Sequence, residues 1–260
     1  MPVNSGWKNF TTRLMRAIDI NCDMGEGVGN DKMIMPFISS ANIACGYHAG
    51  NETMIRETIK LALENHVVIG AHPSFFDKEN FGRTEVQLAA DKIYDIIILQ
   101  LRLIEKIVKL QHSELHHVKP HGALYNMSAK DPVIANAIAH AVRDFDEELI
   151  LFGLSGSHSI KEAAKLNVKT ASEVFADRTY QDDGSLTPRS QANALIEDTT
   201  KSVTQALQMI KEATVTSITG KKISITADTV CIHSDGKNAV AFAIAINQGL
   251  KENNIDIKAI

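Results

Sequence analysis

The stretch 117–126 reads His-Val-Lys-Pro-His-Gly-Ala-Leu-Tyr-Asn and carries protonatable side chains at alternate positions. If it begins as a β-strand, the two-residue period places His117, Lys119 and His121 on one face. Pro120 has no N–H for strand pairing, so the strand should end where these polar groups begin. A solvent-exposed basic edge strand would show the same pattern. Because similar groups recur at other predicted strand ends, we interpret the stretch as a functional strand end.

The first predicted strand, 17–24, also alternates. One face carries Ile18, Ile20 and Cys22, and the other carries Asp19, Asn21 and Asp23. A solvated antiparallel strand could alternate in this way. In a buried parallel strand, however, a row of acids and amides has to be paired or has to bind a ligand.

The positions of these side chains depend on the fold, and the sequence pattern predicts a fold of alternating strands and helices. The strands are expected near 17–24, 40–45, 67–71, 115–121, 149–154, 168–176 and 228–232. Helices are expected near 51–65, 86–110, 132–143 and 191–213, with two more that end near 166 and 253, and a hairpin at 214–225. The repeated order of strand, polar turn and helix predicts a parallel sheet with helices outside, either closed as a barrel or open and doubly wound.

In such folds, functional side chains gather where strands end. The predicted strand ends hold Asp23, Glu26, His48, His72, Lys119, His121, Asp177, Arg178, His233 and Asp235. Their convergence on one rim predicts an active site. Nearby glycines are expected to let a substrate approach the backbone, namely Gly25, Gly46, Gly50, Gly70 and Gly122. The loop 179–189 is long enough to be a lid.

This rim supports two kinds of chemistry. Histidines and carboxylates could act as general acid and base on a carbonyl group, with Lys119 and Arg178 holding a carboxylate or a developing oxyanion. Asp23, His48 and His72 could instead hold a divalent metal that activates water. Spacing alone does not decide, because the groups come from separate strands. The sequence has no Gly-x-x-x-x-Gly-Lys-Ser/Thr nucleotide loop and no Gly-x-Ser-x-Gly nucleophile elbow.

The composition is that of an ordinary globular protein. Of 260 residues, 44% are hydrophobic and 22% are charged, and the formal net charge is −4. With no basic stripe, the chain is not expected to bind nucleic acid, and no apolar run approaches the roughly 20 residues of a membrane span. Three cysteines without metal-site spacing favour a cytoplasmic setting. Residues 1–14 lack the apolar segment of a signal peptide, and we expect a poorly ordered extension there.

Several motifs together resemble the LamB/YcsF family. They are Asp-Ile-Asn-Cys-Asp-Met-Gly-Glu at 19–26, Ala-Asn-Ile-Ala-Cys-Gly-Tyr-His-Ala-Gly at 41–50, Gly-Ala-His-Pro at 70–73, Phe-Gly-Arg at 81–83, the stretch 117–126, Val-Phe-Ala-Asp-Arg at 174–178 with Tyr180, Pro-Arg-Ser at 188–190, and Ala-Asp-Thr-Val-Cys-Ile-His at 227–233. The match covers about residues 17–253 in the family's order. The resemblance implies an irregular seven-stranded parallel β/α barrel, TIM-barrel-like and related to the polysaccharide-deacetylase superfamily, as one catalytic domain over residues 15–260.

The resemblance also implies an activity. It is the opening of the lactam ring of 5-oxo-L-proline to L-glutamate, driven by ATP with Mg and giving ADP and phosphate, together with 5-oxoprolinase subunits B and C. The expected catalytic residues are Asp23, His48, His72, Lys119, His121 and Asp177, and the expected substrate-binding residues are Asn21, Glu26, Tyr125, Arg178 and His233. Water activation is expected of Asp23 or His121. Two alternatives are a stand-alone metal-dependent amidase or deacetylase and a non-catalytic subunit that delivers substrate.

Overall fold

The computed structural model describes residues 16–236 and 238–260. Its strands are β1 (Arg16–Met24), β2 (Ser40–Ala44), β3 (Val68–His72), β4 (His117–Val118), β5 (Ile150–Leu154), β6 (Lys169–Phe175), β7 (Thr214–Thr216), β8 (Lys222–Ser224), β9 (Thr229–Ile232) and β10 (Ile255–Ile257). Strands β1 to β6 and then β9 pair in parallel, and β9 pairs back onto β1. Of the two predicted architectures, the closed seven-stranded barrel is therefore confirmed.

Helices surround the barrel. They are α1 (Asp31–Ile34), α2 (Glu52–Glu64), α3 (Ala90–Lys109), α4 (Gly122–Lys130), α5 (Pro132–Phe145), α6 (His158–Lys165), α7 (Thr199–Glu212) and α8 (Ala239–Glu252). The predicted cap of α2 is present, because Asn51 Oδ1 accepts a hydrogen bond from the Met54 N–H at 3.0 Å. Within the described residues, no helix is both long enough and apolar enough to cross a bilayer.

Some elements differ from the prediction. Strand β4 is only two residues long, because Pro120 has no N–H to donate and the chain enters α4 at Gly122, a helix that the sequence did not predict. Helix α3 begins at Ala90 rather than near 86, and 191–198 is not helical. Strand β10, which extends the sheet beside Arg16–Ile18, was also not predicted. Residues 1–14, the predicted extension, lie outside the described part.

The predicted alternation of β1 is confirmed, and both of its faces are buried. Ile18, Ile20 and Cys22 join the apolar layer between strands and helices, while the polar positions enter the barrel interior. The polar side chains inside the barrel are therefore connected by hydrogen bonds. At one end, the Asp19 carboxylate accepts hydrogen bonds from three hydroxyl groups, those of Ser39, Ser40 and Thr229.

Two amide side chains continue this network toward the other end of the barrel. Asn21 Nδ2 donates to Thr229 Oγ1 at 2.7 Å. Asn42 Nδ2 donates to Asn21 Oδ1 and to Asp23 Oδ1, both at 2.8 Å. Each buried polar group in this chain of contacts thus has a partner, as a water-excluding interior requires.

Gly70 on β3 provides the space for a histidine ring inside the barrel. A Cβ atom at this position would lie 2.1 Å from His117 Nε2 on the neighbouring strand β4. The glycine therefore serves internal packing, whereas the sequence had suggested that it leaves room for a substrate.

We expect Gly70→Ala to destabilise the chain by about 3 kcal/mol or more, because the ring and both strands would have to move. Urea unfolding measures this change. Gly236→Ala is the control, since no atom lies within 4 Å of the Cβ built there, and we expect a change below about 0.5 kcal/mol. Equal unfolding midpoints for the two variants would contradict the packing argument.

Candidate active site

An open cavity of about 720 Å³ lies at the carboxyl ends of the strands. This volume is within the range of small-molecule sites. The predicted site residues that line it are Asp23, Glu26, His72, Lys119, His121, Tyr125, Arg178 and His233. The other three, Asn21, His48 and Asp177, lie behind this lining and contact residues that form it. The eleven predicted residues are thus brought to one end of the barrel.

Lys119 forms the floor of the cavity and is only 3% exposed. Its Nζ lies 2.9 Å from Asp23 Oδ1 and 2.8 Å from Glu173 Oε1. It also donates to Asn21 Oδ1 and Cys231 Sγ, each at 3.1 Å. Burial alone would lower the pKa of Lys119, but the carboxylates outweigh it and hold that pKa well above its usual range. The side chain is therefore a permanent buried cation.

Asp23 is the carboxylate that faces both this cation and the cavity. Its Oδ1 accepts from Lys119 and Asn42, and its Oδ2 lies 3.4 Å from His72 Nε2. Burial would raise the pKa of Asp23, but His72 and Lys119 outweigh burial and hold it well below its usual range. Asp23 is therefore an ionised, oriented base at neutral pH.

Beside Asp23 is a cluster of one carboxylate and three imidazoles, formed by Glu26, His48, His72 and His121. The His48 and His121 rings stack with centroids 3.8 Å apart. Burial and the charge of Asp23 hold the pKa of Glu26 well above its usual range, and burial lowers the pKa of His48 to about 3. The cluster could hold a metal ion, and it includes His48 and His72 from the predicted metal ligands, with Asp23 adjacent.

Strand pairing continues beyond β4 and positions two of these side chains. The Lys119 and His121 N–H groups donate to Ala71 O and Pro73 O, at 2.9 and 2.8 Å. The end of β3 is held in turn by Gln100 of α3. Its Oε1 accepts from the Ser74 N–H and its Nε2 donates to Ser74 O, both at 2.9 Å.

The loop between β6 and α7 covers one side of the cavity, where the sequence predicted a lid. Arg178 stabilises it, because its guanidinium group donates to Thr187 O at 2.6 Å and to Ala194 O at 3.3 Å. Tyr180, in the same loop, is fully buried, and its hydroxyl oxygen accepts a hydrogen bond from the Phe175 N–H at 2.8 Å. The predicted role of Arg178 in substrate binding stays a prediction.

The remaining predicted residues lie at the wall. His233 Nδ1 and Asp177 Oδ2 are 2.7 Å apart, which orients the His233 ring toward the cavity. The Tyr125 hydroxyl is buried without a hydrogen-bond partner among the described residues. Burial and the charge of Glu173 hold the pKa of Tyr125 well above its usual range, so the phenol stays protonated.

Sequence reasoning did not assign several residues that shape this site. The sequence contained a signal for Glu173, because this residue alternates with Phe175 on β6 and with Asp177 just beyond the end of that strand. The sequence also contained a signal for Gln100, which is a polar residue at helical spacing within the apolar face of α3. The sequence contained no signal for the contact between Cys231 and Lys119, because this contact depends on how β9 pairs with the other strands of the barrel.

The model of the LamB/YcsF family matches residues 18–260. The chain belongs to the LamB/YcsF family. A relative from Tolumonas auensis, named as the A subunit of 5-oxoprolinase, is 48% identical over 251 residues, covering 95% of this chain and 100% of the relative. A protein of the same name from Shouchella clausii is 50% identical over 250 residues, covering 94% and 99%.

Solved structures agree with the fold. The crystal structure of a lactam utilization protein from Thermus thermophilus has a TM-score of 0.88 and 37% identity, covering 94% of this chain and 100% of that chain. A family 4 carbohydrate esterase from Streptomyces lividans has a TM-score of 0.50 and 10% identity, covering 94% and 93%. The second likeness concerns the barrel fold alone.

The buried His117 gives a prediction about stability and pH. Its Nε2 donates to Asn42 Oδ1 at 2.8 Å, and its ring stacks on Phe152 with centroids 4.2 Å apart. Burial, with the nearby charges of His116 and Lys119, holds the pKa of His117 well below its usual range. Below about pH 6.5 the unfolded chain takes up a proton here that the folded chain does not. The contribution of this group therefore lowers the free energy of unfolding as the pH decreases, with a slope that approaches about 1.4 kcal/mol per pH unit well below pH 6.5.

Urea unfolding of His117→Gln between about pH 7.5 and 5.5 tests this contribution. We expect the slope of the unfolding free energy against pH to decrease by nearly one proton equivalent at the acidic end of this range, and by little at the neutral end. His66→Asn, at an exposed position, is the control and should keep the slope of the unchanged chain. An unchanged slope in His117→Gln would show that His117 does not remain neutral.

Proposed function

We propose that this chain is the A subunit of an ATP-dependent 5-oxoprolinase and that its cavity is where the activated lactam is hydrolysed. The observation that carries the proposal is the buried pair of Asp23 and Lys119 at the cavity floor. It places an ionised base and a fixed positive charge side by side, as hydrolysis of an acyl compound requires. The names of the relatives and of the Thermus thermophilus protein support the choice of a lactam as substrate.

The chemistry explains the need for ATP. A lactam is a resonance-stabilised amide, and phosphorylation of its oxygen makes the ring carbon electrophilic. Water then adds to that carbon, the C–N bond breaks as the nitrogen takes a proton, and a second water releases phosphate from the resulting acyl phosphate. Because the sequence has no P-loop, we assign phosphoryl transfer from Mg-ATP to partner subunits B and C.

In this scheme Asp23 removes the proton from the attacking water and can return a proton to the leaving nitrogen. His121, the other expected base, is less suitable because its ring nitrogens already contact Phe81 O and His72 Nε2. The ammonium group of Lys119 stabilises the negative charge that develops on oxygen. Arg178 and His233 lie on the wall, where a substrate carboxylate could be held. Three buried free thiols support the cytoplasmic setting that we propose for the complex.

A metal-dependent amidase or deacetylase is the second candidate. The cluster of Glu26 with His48, His72 and His121 favours it, because imidazole and carboxylate groups at one point are suited to a metal that activates water. In that case the chain alone would hydrolyse an amide, and ATP would not affect the rate.

The test measures glutamate and phosphate release from 5-oxoproline and ATP. It compares this chain alone, the two partner subunits alone, and all three together. Glutamate that forms only in the full mixture supports the proposal. No glutamate in any mixture of well-folded, metal-supplemented subunits would contradict the lactam substrate and favour the amidase, which a screen of other amide substrates would then test.

Within the full mixture, we expect Asp23→Asn to lower kcat by about 10²- to 10⁴-fold, because the general base is lost. Lys119→Ala and His121→Ala should abolish turnover. Circular dichroism checks folding, since removing Lys119 leaves two carboxylates buried without their cation at a cost of about 3–5 kcal/mol. His158→Gln, at a cavity position outside the catalytic scheme, is the control. Near-normal turnover in folded Asp23→Asn, Lys119→Ala and His121→Ala would remove these residues from the catalytic set.

A further inference from the structure

Four side-chain atoms in the cluster lie close together beside the cavity. Glu26 Oε1 lies 3.1 Å from His48 Nε2, 3.4 Å from His121 Nδ1 and 3.9 Å from His72 Nε2. His72 Nε2 and His121 Nδ1 are 2.9 Å apart. All four residues are buried, and their nearest ligand atoms lie within 4.8 Å of one another.

The outward nitrogen of each ring is occupied by a hydrogen bond that fixes its proton. His72 Nδ1 donates to Lys119 O at 2.7 Å, and His121 Nε2 donates to Phe81 O at 2.8 Å. His48 Nδ1 lies 2.9 Å from Ser74 Oγ, whose own proton goes to Phe75 O at 2.9 Å. Ser74 must therefore accept from His48.

It follows that the three inward nitrogens carry lone pairs when the rings are neutral. Two of these lone pairs, on His72 and His121, face each other at 2.9 Å, which is repulsive unless a positive charge lies between them. That charge can be a shared proton or a cation. The Glu26 carboxyl group and the inward nitrogen of His48 lie nearby and offer two more possible metal-ligand atoms. A proton shared by His72 and His121 would leave both of these atoms unused.

The separations match those of a metal ligand set. Zinc bonds of about 2.0–2.1 Å in a tetrahedral arrangement separate ligand atoms by about 3.3 Å. The four separations given above lie on either side of this value. Second-sphere hydrogen bonds from ligating imidazoles to carbonyl or other acceptor groups are also typical of metal sites.

The backbone around the cluster is shaped to supply these acceptors. Phe81 adopts a φ of +57°, which is rare for a bulky residue, and its carbonyl reaches His121. The next residue, Gly82, has a φ of +67°, and a Cβ there would lie 2.8 Å from both the His121 and His48 side chains. The strained turn and the missing side chain both serve the cluster.

A second group of possible ligands, Asp23, Cys231 and His233, is less suitable. Lys119 Nζ already lies 2.9 Å from Asp23 Oδ1 and 3.1 Å from Cys231 Sγ, so a cation there would meet an ammonium group. His233 Nδ1 is engaged with Asp177.

We propose that Glu26, His48, His72 and His121 bind one divalent transition-metal ion of the zinc type. Three imidazole nitrogens favour such an ion over magnesium or calcium, which prefer oxygen ligands. Because Glu26, His72 and His121 line the cavity, the ion is placed where it would meet a bound ligand. The inference goes beyond the proposed lactam chemistry, since metal binding by the isolated chain can be measured whatever its substrate.

The test uses the full chain after treatment with a strong chelator. Calorimetric titration with Zn²⁺ should give one equivalent bound with a Kd of about 1 μM or tighter. Co²⁺, as a spectroscopic probe, should give the visible absorption of a nitrogen-rich, low-coordinate site. Mg²⁺ in about hundredfold excess should not displace Zn²⁺.

Variants locate the site. We expect His48→Gln and His121→Gln to weaken Zn²⁺ binding by at least about 100-fold and to abolish the Co²⁺ spectrum, since loss of a direct ligand should exceed the 10- to 100-fold cost of losing a second-sphere partner. His233→Gln, which alters only the second group, is the matched control and should bind as the unchanged chain does. Circular dichroism confirms that each variant is folded.

Two results would overturn the proposal. Folded, chelator-treated chain that binds neither Zn²⁺ nor Co²⁺ would mean that a shared proton holds His72 and His121 together. Unchanged binding in His48→Gln and His121→Gln, or its loss in His233→Gln, would place the ion elsewhere. Neither result depends on 5-oxoproline turnover, so failure of this inference is distinguishable from failure of the proposed function.

Discussion

The pairing of one buried ammonium group with two buried carboxylates is the constraint on which the interior of this barrel depends. Taking the charge of Lys119 out of water costs several kcal/mol unless partners compensate for it. Asp23 and Glu173 supply that compensation from β1 and β6, while Asn21 accepts a further hydrogen bond. Strands that are far apart in sequence are thus required to converge on one atom.

This requirement separates the protein into two kinds of core. Between strands and helices the packing is apolar, as in most α/β folds. Inside the barrel, the space that branched aliphatic layers fill in many β/α barrels is occupied by carboxylates, amides, hydroxyls and imidazoles. Those groups are ordered by hydrogen bonds, and the same network that satisfies them also orients Asp23 toward the cavity.

The inward-facing polar residues could be predicted from the sequence, because their alternation is visible within single strands. The alternation in β1 identified Asp19, Asn21 and Asp23 as an inward row, and the period of two in 117–121 placed His117, Lys119 and His121 together. Helix α4 was missed because Pro120 and Gly122 signal an interruption, whereas the helix begins at Gly122 itself. The partners of these inward groups could not be assigned, since contacts such as His117 with Asn42 depend on which strands become neighbours. The comparisons confirmed the family, while the roles of individual site residues remain predictions.

The closure of β9 onto β1 has a consequence for how the chain acquires its native state. The hydroxyl of Thr229 donates to the Asp19 carboxylate, although the two residues are 210 positions apart in the sequence. This contact therefore forms only when nearly the whole chain has folded into the barrel. Until then, the polar row of β1 has no enclosed partners on that side and stays hydrated. Contacts of such large sequence separation slow folding, because chain entropy is lost before they form. We therefore expect a late, cooperative closing step in which water leaves the barrel and the active site assembles in the same event.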